Sequence, residues 1–277
     1  MRLGSFDLHC HSNCSDGEKT PEELIDMAKK IGLKGLSITD HDTVAAYSEE
    51  VFAYAKKMGI ELISGVEFST KYEKNDGIES IHILGYGMDV RNPKLLDFCH
   101  THTERRVHRL EKMIQKLHLA GIDLKGFSIP KDKLGSVGRP HIALRMIELG
   151  YVKDMEEAFK KFIGEKAPYY VKSTLPTIEE TLTVIKHAGG KSSLAHPILI
   201  KGKKVLKNIL STYEFDALEC YYGNFQRDKI DRFLKMAEEK NLLVTGGSDY
   251  HGERRAYVSL GCSFITEERV RALLSTF

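Results

Sequence analysis

Asp7-Leu8-His9-Cys10-His11 closes a short apolar segment near the N-terminus, and the turn sequence Ser15-Asp16-Gly17 follows it. This pattern predicts a buried strand that runs into a loop. Successive side chains of a strand point to opposite faces, so His9 and His11 share a face and Cys10 lies on the other. Two imidazoles that converge in this way, with the carboxylate of Asp16 close behind them, are typical of a site for zinc, iron or manganese.

The same arrangement, an apolar segment that ends in His, Asp or Glu, recurs along the chain. Residues 34–39 predict a second strand that leads into His41, and a third predicted strand ends at Glu67. We expect a helix before each of these strands, over residues 21–31 and 44–58. The first begins at the helix-start sequence Thr20-Pro21-Glu22-Glu23, and each is followed by a glycine. Alternation of strand and helix favours a parallel sheet or barrel, in which the carboxyl ends of the strands share one rim.

Further predicted strands bring more candidate ligands to this rim. Residues 68–87 predict a β-hairpin with a turn signal at Asp76-Gly77, and His82 lies on its return strand. A later strand ends at His196, and the last clear strand runs into Asp249. The set exceeds the three or four ligands that one zinc ion needs, and it contains no cysteine, so it predicts a multinuclear centre of manganese, iron or zinc. The candidate ligands are His9, His11, Asp16, His41, Glu67, His82, His196, Asp249 and His251.

The regular alternation stops in the middle of the chain. Residues 92–172 contain helical patterns without strands, including one long predicted helix over residues 93–120. We interpret residues 92–172 as a helical insertion that covers the active site. Residues 1–91 and 173–277 are expected to form the metal-binding barrel domain.

Composition and charge narrow the class of protein. The chain has 277 residues, and its 41 Lys and Arg against 39 Asp and Glu give a net charge of +2, which creates no global field for nucleic acid or anionic membranes. No apolar run approaches the roughly 20 residues of a membrane helix, and no apolar signal segment is recognised. The five cysteines lack Cys-x-x-Cys spacing, which favours reduced thiols. We therefore expect a cytoplasmic protein with no membrane association and no obligate protein partner.

Five motifs follow one another in a characteristic order. They are Asp7-Leu8-His9-Cys10-His11, Thr39-Asp40-His41-Asp42, Gly65-Val66-Glu67, Ala195-His196-Pro197 and Gly247-Ser248-Asp249-Tyr250-His251. In this order they resemble the motifs of the PHP (polymerase and histidinol phosphatase) superfamily of metallophosphoesterases. The resemblance implies an α/β fold, a distorted (β/α)7 barrel with a helical insertion, and two to three divalent ions (Mn²⁺, Fe²⁺ or Zn²⁺).

The resemblance also implies how the ligands are shared among three ions. By that resemblance the first ion is held by His9, His11, Glu67 and Asp249. Glu67 bridges to a second ion held by His82 and His196. The third ion is held by Asp16, His41 and His251.

The insertion contains the motif Gly138-Arg139-Pro140-His141 and resembles the bacterial branch of nucleoside 3′,5′-bisphosphate phosphatases and 5′-to-3′ exoribonucleases. That branch places the Arg and His of this motif near the substrate phosphate, so Arg139 and His141 are the candidate catalytic residues. An arginine offers phosphate a planar, bidentate fork that lysine does not. Arg145 and Lys172 are further candidates for phosphate binding, from their positions alone.

The predicted activity is hydrolysis of nucleotide phosphate esters by a hydroxide that metal ions activate. The expected substrates are nucleoside 3′,5′-bisphosphates, AMP-like nucleotides and short 5′-phosphorylated RNA. A histidinol-phosphate-type or other small-molecule phosphatase is the alternative within the superfamily. Two alternatives belong to other classes, a metal-binding module without catalysis and a TIM-barrel amidohydrolase. The large ligand set disfavours the former, since a structural site closes around one ion with four ligands.

Overall fold

A computed structural model describes residues 4–74, 77–127, 129, 137–172, 174–224, 227–253 and 257–275. The strands in these ranges are β1 Ser5–Cys10, β2 Gly35–Ile38, β3 Glu61–Leu62, β4 Gly65–Lys74, β5 Gly77–Tyr86, β6 Lys191–Leu194, β7 Ala217–Tyr222, β8 Leu243–Gly247 and β9 Ile265–Thr266. The helices are α1 Pro21–Ile31, α2 Glu49–Met58, α3 Pro93–Leu119, α4 Arg139–Glu148, α5 Met155–Ala158, α6 Ile178–His187, α7 Lys203–Thr212, α8 Arg227–Glu239 and α9 Glu267–Leu274. None of the helices in the described ranges combines the length and the apolar character needed to cross a lipid bilayer.

The strands form two sheets that meet at both edges. One sheet has the order β3-β2-β1-β9 and the other the order β4-β5-β6-β7-β8. A parallel bridge between His41 and Glu67 joins the end of β2 to β4, and a parallel bridge between Cys10 and Tyr250 joins β1 to the chain after β8. Seven strands therefore surround one interior, in the order β1, β2, β4, β5, β6, β7 and β8. This confirms the predicted distorted (β/α)7 barrel, and the distortion is β5, which is antiparallel to both neighbours.

Local capping explains where the first helices begin and end. Thr20 and Glu23 form a capping box at the start of α1, with Glu23 N–H donating to Thr20 Oγ1 at 3.2 Å and Thr20 N–H donating to Glu23 Oε2 at 2.7 Å. Gly32 ends α1 with a φ of 79°, a left-handed conformation that glycine adopts without strain. The second helix was predicted from residue 44. It begins at Glu49, because Ser48 Oγ accepts the N–H of Val51 and so caps it there.

The predicted third strand differs from the observed one. It is split into β3 and β4, and the hydroxyl of Ser64 between them donates to the main-chain oxygen of Met88 at 2.7 Å. Glu67 is consequently the third residue of a ten-residue strand and not the end of one. The reason is the antiparallel pairing with β5, which runs without interruption from Gly65 opposite Tyr86 to the far end of both strands. Asp76 of the predicted hairpin turn lies outside the described residues.

Buried apolar side chains form separate groups in the barrel and in the insertion. Leu95 and Cys99, from the first half of α3, pack into the barrel group. Leu110, Met113 and Leu117, from its second half, pack with α4 in the insertion group. Helix α3 therefore contributes side chains to both apolar groups. The division into a barrel at residues 1–91 and 173–277 and an insertion at residues 92–172 stays a prediction.

Candidate metal centre

The first group of ligand atoms is formed by two carboxylates and two histidines, His9 in β1 and His11 directly after it. His9 and His11 are fully buried, and each directs its Nε2 toward Glu67 and Asp249. The distances from His9 Nε2 to Glu67 Oε2 and Asp249 Oδ1 are 3.4 and 3.3 Å, and those from His11 Nε2 are 3.2 and 3.2 Å. Ligand atoms about 2.1 Å from a tetrahedral ion lie roughly 3.4 Å from one another. These four atoms therefore have the spacing of ligands that share one ion, and neither nitrogen has a hydrogen-bond partner in the described structure.

A second group lies around Asp16, on the other side of the His11 ring. Asp16 Oδ1 is 3.4 Å from His251 Nε2 and 3.8 Å from His11 Nδ1, and its Oδ2 is 3.9 Å from His41 Nε2. The ligand atoms of the four residues lie within 4.8 Å of one another. The buried Nε2 of His251 and Nδ1 of His11 have no hydrogen-bond partner among the described residues. This group fits the predicted third ion, with His11 as an additional neighbour.

Glu67 joins the two groups. Its Oε1 lies 2.7 Å from His82 Nδ1 and 2.7 Å from His196 Nε2, and its Oε2 lies 3.2 Å from His41 Nδ1. The resemblance assigned His82 and His196 to one ion with Glu67, whereas the compact group of potential ligands is His41, Glu67 and His82. The structure thus brings all nine predicted ligands into one cluster, with this difference in how they are grouped.

Three non-glycine residues in or beside the cluster have a left-handed backbone conformation, which sets the direction of their side chains. His196 has a φ of 26°, Asp249 a φ of 56°, and Asp42, next to His41, a φ of 55°. Such conformations cost on the order of 1–3 kcal/mol each and persist only where surrounding contacts hold them. The N–H of Asp249 donates to the main-chain oxygen of His9 at 2.7 Å, which fixes β1 against the loop after β8.

The charges of the cluster shift one another's pKa. Burial opposes the charged form of His11, but Asp249 and Glu67 outweigh it and raise its pKa to about 9. Burial also disfavours the charged form of Glu67, yet His82, His41 and His9 hold its pKa well below the usual value. Burial lowers the pKa of His41 to about 3, against the attraction of Glu67 and Asp16. The interior therefore favours ionised carboxylates and added positive charge, which is the field that a divalent cation requires.

Glu219 and Tyr222, which the sequence pattern did not indicate, also hold these ligands. Glu219 is fully buried on β7, where its carboxylate contacts the ring of His9 and the main chain of His196. Tyr222 Oη donates to Asp249 Oδ2 at 2.7 Å. A single acid inside the apolar strand Ala217-Leu218-Glu219-Cys220 was the available signal, because a carboxylate is costly to bury without partners.

A cavity of about 250 Å³ extends from the cluster to the insertion. Three metal-ligand candidates line it, namely Asp16, His41 and His82. Three arginines of the insertion, Arg106, Arg109 and Arg139, line the same cavity together with Glu165. Candidate metal ligands and guanidinium groups therefore share one cavity.

Two of the arginines that line the cavity, Arg109 and Arg139, combine burial with like charge. Burial and the charge of Arg139 lower the pKa of Arg109 to about 10, and burial lowers the pKa of Arg139. The Arg139 guanidinium lies 5.3 Å from the ring centre of Phe159 and 5.5 Å from that of Tyr170. Two adjacent guanidiniums in such surroundings are stabilised by a bound anion.

The other predicted phosphate-binding residues have different surroundings. Arg145 donates to the main-chain oxygen of Lys125 and does not line the cavity. His141 Nδ1 accepts the N–H of Gly138 at 3.1 Å and so caps α4. Lys172 is exposed. Arg139 is the one of these four predicted substrate residues found among the described residues that line the cavity.

Comparisons with known proteins agree with this geometry. The profile of the PHP domain family matches residues 7–258. A 5′-3′ exoribonuclease from Haemophilus influenzae is 34% identical over 250 residues, which cover 89% of each chain. A 3′,5′-nucleoside bisphosphate phosphatase from Chromobacterium violaceum is 31% identical over 255 residues, covering 90% of this chain and 88% of the relative. A solved structure from Bifidobacterium adolescentis, assigned as a metal-dependent phosphoesterase, superposes with a TM-score of 0.82 at 28% identity, covering 98% and 95% of the two chains.

Proposed function

The chain belongs to the PHP domain family and is a metal-dependent phosphoesterase, and we propose that its substrates are nucleotides that carry phosphate at both the 3′ and the 5′ position of one ribose. The nine clustered ligands would hold two or three divalent ions, which we propose to be Mn²⁺, Fe²⁺ or Zn²⁺ because the donors are imidazoles and carboxylates. When bound, such ions lower the pKa of water and stabilise charge on phosphoryl oxygens. We also propose a cytoplasmic location, where nucleotide and RNA substrates occur.

The observation that carries this proposal is one cavity lined both by metal-ligand candidates and by arginines. Within the described residues, neither Arg109 nor Arg139 forms an ion pair with a carboxylate. Arg109 Nε donates to the main-chain oxygen of Val171 at 2.7 Å, and Arg139 Nη1 lies 3.4 Å from that of Ile163. Glu165 lines the same cavity and attracts both guanidiniums without a direct ion pair, so a substrate anion would be their direct partner. One phosphate at the metal-ligand cluster and a second at the arginines would use both sets of residues.

One relative is named for nucleoside 3′,5′-bisphosphates and another for the degradation of RNA from its 5′ end. A nucleoside 3′,5′-bisphosphate carries phosphate at both positions of one ribose. The first nucleotide of a 5′-phosphorylated RNA also has two phosphate groups, since its 3′ position carries the phosphodiester. The same cavity would serve either substrate if the rest of the RNA lies outside it.

Side chains of this protein would orient the substrate and hold the centre. Arg139 would grip the second phosphate with two parallel N–H groups. Tyr222 and Glu219 would keep Asp249 and His9 in place through the contacts described above. We propose that His141 acts in catalysis through its Nε2, because its Nδ1 accepts the N–H of Gly138 and so caps α4.

A substrate panel with Mn²⁺ tests the proposal. It contains adenosine 3′,5′-bisphosphate, 3′-AMP, 5′-AMP, histidinol phosphate, an aryl phosphate, and RNA oligonucleotides with 5′-phosphate or 5′-hydroxyl ends. We expect kcat/KM to be roughly 10- to 150-fold higher for substrates with two phosphates, since one charge-assisted hydrogen bond contributes about 1.5–3 kcal/mol. Equal rates on the aryl phosphate and the bisphosphate would contradict recognition of a second phosphate. Preference for histidinol phosphate would favour the small-molecule alternative.

A further inference from the structure

Glu219 connects two parts of the metal centre that are far apart in the sequence. Its Oε1 lies 2.8 Å from Nδ1 of His9, and its Oε2 accepts the main-chain N–H of His196 at 2.6 Å. Glu219 belongs to none of the ligand groups found among the described residues. We propose that Glu219 is a positioning residue that sets the metal affinity of the centre by holding His9 and His196 at once, an inference that rests on the proposed metal-dependent function.

The contact with His9 fixes which nitrogen of the ring faces the ion. His9 Nε2 points at the group formed with His11, Glu67 and Asp249, so Nδ1 carries the proton and donates it to Glu219. A carboxylate behind a ligating imidazole fixes its tautomer and its orientation and increases its basicity. Without that acceptor, the ring loses the partner that keeps Nε2 free for the metal.

The contact with His196 fixes a strained turn. His196 has a φ of 26°, and its ring nitrogen Nε2 lies 2.7 Å from Glu67 Oε1. The bond from its N–H to Glu219 is a contact that holds the left-handed conformation in place. Glu219 therefore links β1 to the turn after β6, and these segments supply ligands that the family resemblance assigns to different ions.

The chemistry of both partners requires a carboxylate at this position. The ring N–H of His9 and the main-chain N–H of His196 are both donors, and a carboxylate accepts from both. A glutamine has one acceptor oxygen, and its amide nitrogen would meet the second donor with hydrogens of its own. Glu219→Gln keeps the size of the side chain and removes one of the two bonds together with the charge.

The test compares Glu219→Gln with Ser193→Ala. Ser193 is a matched control, because its hydroxyl makes a buried 2.7 Å hydrogen bond to Thr245 inside the same barrel and, among the described residues, is not hydrogen-bonded to a metal-ligand candidate. Mn²⁺ stoichiometry and affinity are measured by calorimetry without substrate, with the melting temperature of the metal-free proteins as the fold control. We expect Glu219→Gln to weaken the tightest site roughly 10- to 100-fold, with activity recovering at high Mn²⁺, whereas Ser193→Ala binds as wild type. Wild-type Mn²⁺ affinity in Glu219→Gln would overturn the proposal.

A measurement on the wild-type protein covers the case in which Glu219→Gln does not fold. Long-range ¹⁵N–¹H spectra of the Zn²⁺-loaded protein report the tautomer of each imidazole, and we expect His9 to carry its proton on Nδ1 and its metal on Nε2. Metal on Nδ1 of His9 would overturn the proposal. Neither measurement uses a substrate, so loss of the phosphoesterase assignment in the substrate panel would be seen separately from loss of this role.

Discussion

At the scale of single residues, the centre is marked by polar atoms that have no partner within the described protein. The buried atoms Nε2 of His9, Nε2 of His11 and Nδ1 of His41 accept or donate no hydrogen bond there. Burying a polar atom without a partner costs about 1–3 kcal/mol, so several such atoms in one place need a common explanation. A cation that these nitrogens coordinate supplies it.

Arg139→Lys tests whether the cavity recognises phosphate through guanidinium geometry. Lysine keeps the charge and loses the bidentate fork, so we expect kcat/KM for adenosine 3′,5′-bisphosphate to fall roughly 10- to 150-fold while metal content stays at the wild-type level. The fall should be smaller for an aryl phosphate, which has no second phosphate. Arg145→Lys is the control, because Arg145 binds the main chain of Lys125 outside the cavity and should leave kcat/KM near wild type.

Two outcomes would revise the role of Arg139. An equal loss on both substrates would mean that Arg139 acts at the reacting phosphate. Unchanged kcat/KM on both would remove the proposed substrate assignment and leave the metal centre untouched.

At the scale of elements, one buried ion pair attaches the long helix α3 to the loop after β2. Asp42 is fully buried and accepts from Arg106 Nε at 2.6 Å and from the N–H of Ser69 at 2.7 Å. Burial disfavours its charged form, but Arg106 and His102 hold its pKa well below the usual value. Because Asp42 follows His41 in the chain, this pair couples the docking of α3 to the position of a candidate ligand.

Arg106→Met tests this attachment. Methionine keeps an unbranched stem but lacks the guanidinium, so Asp42 loses its main cationic partner. Removing one partner of a buried ion pair lowers the stability of the folded protein by on the order of 3–5 kcal/mol. We expect a lower midpoint in urea denaturation and a higher KM, since Arg106 also lines the cavity. Arg105→Met, an exposed neighbour on the same helix, should leave both values unchanged. Full stability of Arg106→Met would show that α3 is held by its apolar contacts alone.

At the scale of the whole molecule, the barrel brings together ligands from segments that lie near opposite ends of the chain. His9 lies in β1 and His11 directly after it, β4 and β5 supply Glu67 and His82, and the loop after β8 supplies Asp249. A metal ion bound there contacts several strands at once, and the unfolded chain cannot reproduce that geometry. Metal binding is therefore coupled to global stability.

Removal of metal by a chelator should lower the melting temperature. An ion present at 100 times its Kd adds about 2.7 kcal/mol to the stability of the folded protein, a shift of roughly 5–10 °C for a chain of this size. Differential scanning fluorimetry with EDTA, and then with Mn²⁺ in excess, measures the loss and its recovery. Ca²⁺ should not restore the shift, because it prefers oxygen ligands and this cluster is rich in imidazole. Equal melting temperatures with and without chelator would contradict metal binding at the centre.

Part of this structure was predictable from the sequence alone because it depends on local interactions. His9 lies in β1 and His11 directly follows it, so their common direction follows from the two-residue period of an extended chain. The ends of α1 follow from the capping box of Thr20 and Glu23 and from Gly32. The alternation of strands and helices predicted a parallel sheet or barrel with the ligands on one rim, and the family resemblance predicted the distorted (β/α)7 barrel that the fold confirms. These features follow from short-range geometry and from the fact that parallel strands end on a common rim.

Other features depended on contacts between distant parts of the chain. Glu219 meets His9 across 210 positions, and Asp42 meets Arg106 across 64, so no local pattern relates the members of either pair. Arg145 and Arg139 lie on the same helix, yet only the packing of that helix directs Arg139 into the cavity and Arg145 toward Lys125. The sequence by itself determined which residue types could form a metal centre and on which strands they lie. Closure of the barrel and docking of the insertion decided which of them meet, because those contacts arise only when strands and helices far apart in the chain pack together.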